Sequence, residues 1–303
     1  MQSKIQILYD MNYEYTPFIN PYFDYGFKRL FGIEPNKDLL ISFLNAVFEG
    51  RRPPIVDVSY LKTELLGDYR EDRGTVFDLY CLQEDGVRYI VEMQKTEQYY
   101  FKDRSVFYAA GAVKEQAPKG PWNYRLNEVV VVGLLNFEFP NKEYPEDSYF
   151  HEAKILDSED HHVLYEKLVF YYLELPKFKK PVSELETMMD KWLYAITRIA
   201  HLERRPEVLD APVFEKFFEE ARVSNLSKAE RVLYEESMRY NWDLYSTMET
   251  SHGKGKEEGF AEGREQGRKE EKLAMARTMK TLNIPLDTII QVTGLSLDEL
   301  HLL

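Results

Sequence analysis

Apolar residues first recur at helical spacing in "FDYGFKRLF", where Phe23, Phe27, Leu30 and Phe31 fall on one face. The run "NKDLLISFLNAVFEG" predicts a second helix: Asn36 at its start as a cap, Leu40, Phe43, Leu44, Val47 and Phe48 along one face, Gly50 as its stop. Pro53 and Pro54 then separate this helix from "IVDVSYL", a strand. Two alternating runs around Asp85-Gly86 in "TVFDLYCLQEDGVRYIVEMQ" predict a β-hairpin. A helix from about Tyr100 to Gln116 follows in "YYFKDRSVFYAAGAVKEQ". "VVVVGLLNF" reads as a strand buried on both faces, and "YEKLVFYYLEL" as a further strand before Pro176. The order is helix, helix, three strands, helix, strand: a mixed α/β domain.

Beyond Ser183 the pattern turns helical and aromatic up to Thr250, with 14 Asp and Glu against 9 Lys and Arg. Composition shifts abruptly at "SHGKGKEEGFAEGREQGRKEEK", where Gly255, Gly259, Gly263 and Gly267 recur every fourth residue. Interior glycine costs a helix about 1 kcal/mol relative to alanine, so a flexible or marginally helical linker is expected, with a self-associating helix as the alternative. "IPLDTIIQVTGLSLDELHLL" predicts two short helices around Gly294, with Ser296 and Glu299 as a capping box. It resembles half of a helix-turn-helix, but Asp298 and Glu299 on its second helix suit docking or self-assembly better than reading DNA. His161-His162 reads as loop. The segments are 18–175, 176–250, 251–272 and 273–303.

The hairpin carries the candidate chemistry. With a two-residue turn, Asp78 and Glu92 would lie on opposite faces. With the three-residue loop Glu84-Asp85-Gly86, Asp78 opposes Glu92, and Phe77, Leu79 and Cys81 oppose Met93, Val91 and Tyr89. That second register collects six apolar side chains on one face and leaves Asp78, Glu92 and Gln94 on the other. Directly opposed carboxylates have Cβ atoms roughly 4.5–5.5 Å apart. They either share a proton or recruit a hard cation such as Mg2+; a solvated polar face is the plainer alternative.

Composition sets bounds on this chemistry. The 303 residues are 44% hydrophobic and 14% aromatic, as in a folded protein with a sizeable core. Net charge of −13 argues against general nucleic-acid affinity but is compatible with a carboxylate metal site. The single cysteine, Cys81, excludes an internal disulfide framework and fits a reducing cytoplasm. "MQSKIQILYD" does not read as a signal peptide, and no apolar run approaches a membrane span. P-loop, Rossmann and nucleophile-elbow patterns are missing from the sequence.

"TVFDLYCLQEDGVRYIVEMQ" resembles the Asp…Glu-X-Gln variant of the PD-(D/E)XK nuclease signature. "FDYGFKRLFG", "LLISFLNAVF", "YFKDRSVFYAAG", "LELPKFKKPVSELETMMDKWLYAI" and "EGFAEGREQG" extend the likeness to the recombination-promoting nuclease (Rpn) branch of that superfamily, over nearly the whole chain. The resemblance implies a PD-(D/E)XK α/β core with a mixed central sheet, then an α-helical subdomain and a short helical tail. It implies a metal-dependent DNA endonuclease associated with recombination or a mobile element, with a catalytically silent DNA-binding or assembly protein as the alternative. Asp78 and Glu92 would be ligands of Mg2+, or of Mn2+, and Asp24 could complete the site. Gln94 stands where the superfamily usually has lysine; an amide orients water but carries no charge. Lys95 is adjacent but points to the other face of a regular strand. Lys28, Arg104 and Gln116 are expected to contact substrate. A homodimer is expected, because one metal site cuts one strand. Trp192, Phe214, Phe217, Phe218, Tyr234, Tyr240, Trp242 and Tyr245 are candidates for its interface or for an internal core. Lys28, Arg29, Arg51, Arg52 and Arg104 would line a shared groove.

Overall fold

The computed structural model describes residues 16–65, 75–96, 100–139 and 144–303. The stretch "MQSKIQILYD", read above for a leader, lies outside them. Contacts divide the chain into two compact units, one ending at Met238 and the other starting at Arg239.

Helix α1 (Asp24–Phe31) buries Phe27, Leu30 and Phe31, as its spacing predicts. Helix α2 (Lys37–Phe48) buries Leu39 and Ala46 besides the expected stripe, so it is enclosed on most sides. Gly50 adopts φ +73° just beyond it, a left-handed conformation that glycine enters without a Cβ penalty. Asn36 does not cap α2: no cap hydrogen bond forms from its side chain. A 3₁₀ turn over Glu34–Asn36 runs straight into the helix, and the Asn36 amide donates instead to the Arg29 carbonyl at 3.0 Å and to Glu220 at 3.4 Å.

Six strands form one mixed sheet in the order β1-β4-β5-β6-β8-β7: β1 (Val58–Tyr60), β4 (Leu79–Gln83), β5 (Arg88–Gln94), β6 (Val129–Leu135), β7 (Phe150–Leu156) and β8 (Val163–Glu174). A separate short pair, β2 (Glu64–Leu65) and β3 (Thr75–Val76), stands beside it. The central strands β5, β6 and β8 are parallel, and the outer pairings are antiparallel. Parallel neighbours need a crossover; helix α3 (Phe101–Lys114) provides it between β5 and β6. All seven residues of β6 are buried, as its unbroken apolar run predicts. Strand β7 was not foreseen. Its residues "FHEAKIL" are largely exposed on the sheet edge, so nothing imposes an alternating pattern. The turn joining β7 to β8 contains His161, at φ 60°, and His162, in the expected loop.

One sheet face packs on α1, α2, α4 (Met188–Arg198) and α5 (Pro212–Glu220). Trp192 is fully buried there, with its ring centroid 4.9–6.1 Å from those of Phe31, Phe43, Phe214 and Phe217. Trp192, Phe214, Phe217, Phe218 and Tyr234 are therefore core residues and cannot form a subunit interface. The other face, beneath α3, gathers Phe77, Tyr80, Ile90, Val131, Phe170 and Tyr172.

The glycine-repeat segment is helical. It lies within one continuous helix, α6 (Lys228–Thr281, 54 residues). Its glycines are separated by strong helix formers, Glu, Lys, Arg and Ala, with i,i+4 contacts such as Gln266 to Glu270 at 3.2 Å. Helices α7 (Leu286–Thr293) and α8 (Leu297–His301) flank Gly294, at φ +66°, and the Ser296–Glu299 capping box is present. Their small core joins Ile289, Leu295 and Leu300 to Ala276 of α6. Among the described residues no helix is long and apolar enough to cross a membrane.

Candidate active site

The hairpin adopts the three-residue loop. Leu79 pairs with Val91 and Cys81 with Tyr89, Gln83 N–H donates to the Val87 carbonyl, and Gly86 sits at φ +94°. Leu79, Cys81, Tyr89, Val91 and Met93 face the α1–α2 core, as expected. Phe77 does not. The chain bends at Phe77–Asp78, where Phe77 N–H donates to the Thr63 carbonyl, and the ring packs on the α3 side, 4.9 Å from Tyr80 and 5.5 Å from Tyr108. That departure costs β4 two pairing residues, Phe77 and Asp78, but leaves Asp78 and Glu92 in contact.

Their contact is reciprocal. Asp78 N–H donates to Glu92 Oε1 at 3.1 Å, and Met93 N–H donates to Asp78 Oδ2 at 2.8 Å. Glu92 is 4% exposed. Burial pushes its carboxyl pKa up, and the neighbouring Asp78 adds to the rise against the opposing pull of Asp78 N–H, Arg104 and Lys28. Burial also raises Asp78, reinforced by Asp24 and opposed by Met93 N–H, Lys28 and Arg104. The two carboxylates, Glu92 buried and Asp78 half-buried, thus share a location where burial outweighs the pull of the nearby cations.

Gln94 is nearly buried, and its Oε1 accepts from Arg104 Nη2. The same nitrogen lies 3.6 Å from Glu92 Oε2. Arg104 reaches both residues from the first turns of α3, which approaches the sheet closely because Gly133 of β6 stands opposite Glu92. A Cβ on Gly133 would meet the Tyr172 ring at 3.0 Å and the Phe101 ring at 3.3 Å. This supporting position was missed in the sequence, where the only signal is a glycine interrupting "VVVVGLL". Asp24 and Lys28 form an i,i+4 pair on α1 at 2.7 Å, and both act electrostatically on Asp78. Lys95 does point away, with Nζ 4.3 Å above the Phe23 ring, and burial pulls it down to about 8.

Gln116 is not brought to this cluster. It lies beyond the far end of α3, about 18 Å along the helix from Arg104, and holds the Asn127 backbone through Asn127 N–H at 2.7 Å. The expected basic groove is also largely neutralised within the chain. Arg29 pairs with Glu220 and Glu230, Arg51 with Glu152 at 4.0 Å, and Arg52 makes a two-pronged contact with Glu128.

Hard carboxylate oxygens with raised pKa values are a donor set that a divalent cation relieves, and the residues present fit such an ion. Asp78 and Glu92 each keep one oxygen that accepts no main-chain N–H in the contacts above. Among the described residues no cluster of three or more His, Cys, Asp or Glu side chains is arranged to hold a metal, so an ion here would retain several waters. Nucleases of the PD-(D/E)XK superfamily generally use divalent metals.

Nothing among curated proteins or solved structures matches the chain significantly. A family model described as PD-(D/E)XK nuclease family transposase matches residues 21–251. Its α/β fold agrees with the six-stranded mixed sheet and the helices that follow it. The chain belongs to the PD-(D/E)XK nuclease family transposases.

Proposed function

We propose that this protein is a magnesium-dependent DNA endonuclease acting in recombination or the movement of a mobile element, with Mn2+ as a substitute ion. The observation that carries the reading is the pairing of two carboxylates, half-buried Asp78 and buried Glu92, across the hairpin within reach of Arg104. Asp78 and Glu92 would hold the ion, whose chemistry is to acidify a bound water and offset charge on the phosphate. Asp24, on α1, would support the pair from the side of the substrate.

The chain's own residues divide the remaining work. Gln94, its Oε1 held by Arg104, keeps an amide N–H2 to orient the attacking water. Arg104 supplies the fixed positive charge that a glutamine lacks, close to where negative charge develops on the phosphate. Lys28 offers a second cation for the substrate backbone, released from Asp24 when a phosphate competes for it. Gln116 would touch only DNA that extends along α3. Two subunits, each cutting one strand, would produce a double-strand break.

Plasmid cleavage with and without Mg2+ tests the reading beside an Asp78→Ala control. Magnesium-dependent nicking that disappears in Asp78→Ala supports it. Equal cutting by both preparations marks a contaminant, and no cutting by either favours a silent, DNA-binding or assembly role for the fold.

A further inference from the structure

The segment joining α3 to β6 contains a second feature that the carboxylate site does not use. Its sequence, "APKGPWNYRLN", places Trp122 and Tyr124 side by side, ring centroids 5.2 Å apart and planes tilted by 37°. Tyr124 is 80% exposed, and its backbone is held at φ 60°, a conformation uncommon for a bulky residue. Asn123 Oδ1 supports that turn by accepting from Arg125 N–H at 3.1 Å. A scattered exposed aromatic is ordinary on a protein surface; a paired platform raised by an unfavourable dihedral is not.

Charge in this segment is sorted as well. The two acids that flank this stretch are engaged elsewhere: Glu115 accepts the Tyr80 hydroxyl at 2.5 Å, and Glu128 holds Arg52 at 2.6 Å. The cations Lys119 and Arg125 are exposed, and neither side chain has a hydrogen bond or ion pair among the described residues. Lys167 adds a third positive group at the base of the loop, donating to the Leu126 carbonyl at 2.8 Å. With both acids engaged, the unpaired charge of this segment is positive, against the chain's net charge of −13. Flat π faces beside unpaired cations match a strand of nucleic acid, whose bases stack and whose phosphates need neutralising. A protein partner would match the aromatics but leaves the sorting of charge unexplained.

We propose that Trp122, Tyr124, Lys119 and Arg125 form a binding site for single-stranded nucleic acid, separate from the carboxylate pair. Arg88 pairs with Val129 at this end of the sheet and Glu92 with Gly133 four residues along, so about 13 Å of strand separates the base of this segment from the carboxylate pair. The choice of nucleic acid as ligand rests on the nuclease reading above, but the site is measured without cleavage.

Fluorescence anisotropy of a labelled oligothymidylate on the full chain, in EDTA, provides the test. Trp122→Ala and Tyr124→Ala are each expected to weaken binding by about ten- to a hundredfold, and Trp122→Phe to retain most of it. Lys119→Ala with Arg125→Ala should lower the slope of log affinity against log salt by about 1.4. Circular dichroism establishes that each variant is folded. If wild type ignores the oligonucleotide, or all variants bind like wild type, the proposal is overturned, whatever plasmid cleavage shows. Binding that these variants lose, in a protein that cuts no DNA, would retain this site and reject the nuclease reading.

Discussion

Replacing Glu92 with glutamine should stabilise the metal-free protein while abolishing its response to magnesium. Both carboxyls of the Asp78–Glu92 pair have pKa values raised by folding, chiefly through burial. Between the ordinary carboxylate range and those raised values, the folded protein holds more protons than the unfolded chain. Stability therefore falls as pH climbs through that window, and the full penalty applies above it. The amide of the Glu92→Gln variant keeps an oxygen for Asp78 N–H and removes the charge. Two unit charges about 5 Å apart repel by about 3 kcal/mol at an effective dielectric constant of about 20. The attraction lost with Arg104, at 3.6 Å and partly exposed, offsets much of this, and relief of desolvation adds to the gain. A net stabilisation of about 1–2 kcal/mol at pH 8 follows, worth about 2–4 °C in Tm per kcal/mol for a unit of this size. Thermal unfolding in EDTA between pH 4 and 8 measures it. The Glu92→Gln advantage should be present at pH 8 and shrink toward pH 4, and added Mg2+ should raise the Tm of wild type only. A variant less stable than wild type at every pH would refute the reasoning, because the pair would then be a satisfied structural contact.

Four further outcomes are expected. Arg104→Ala should lower the cleavage rate by about 100-fold, as for loss of one preorganised charge-stabilising group, with Arg104→Lys recovering part of it. Gly133→Ala should cost about 1–3 kcal/mol by pushing Tyr172 and Phe101 apart and lifting α3 from the sheet, and should reduce cleavage with it. Trp192→Ala should cost about 3–5 kcal/mol, read by denaturant unfolding, because its ring fills the core between Phe31, Phe43, Phe214 and Phe217. Light scattering should give a dimer mass for the full chain; a monomer from the full chain and from a chain ending at Thr250 would reject dimerisation, and a dimer from the full chain alone would assign it to the tail.

The hairpin register was legible because period-two patterning leaves only one pairing that keeps Leu79, Cys81, Tyr89 and Val91 together. Phe77 escaped that logic. A bend before Asp78 turned its ring to a second core that lies on the other side of the sheet, and one strand cannot announce which core receives its first residue. Strand β7 escaped because an edge strand need not alternate. Arg29, Arg51 and Arg52 looked available for a phosphate backbone, yet their partners Glu220, Glu152 and Glu128 lie far away in sequence. Propensity left the tail open between a flexible and a helical form: a glycine every fourth residue argues against a helix locally, but good helix formers fill most of the gaps and a long run of them follows Gly267. The role of Gly133 depends on α3 crossing above it, which only tertiary structure reveals.

The central claim is that Asp78 and Glu92 hold a divalent ion for phosphodiester hydrolysis. Its most direct test is the initial rate of cleavage of a labelled DNA duplex across a Mg2+ titration, for wild type, Asp78→Asn and Glu92→Gln purified in parallel. The account predicts a saturating rise in rate for wild type, with both variants reduced by at least about 100-fold at every concentration. Cleavage by either variant at the wild-type rate, with the same dependence on magnesium, would contradict it.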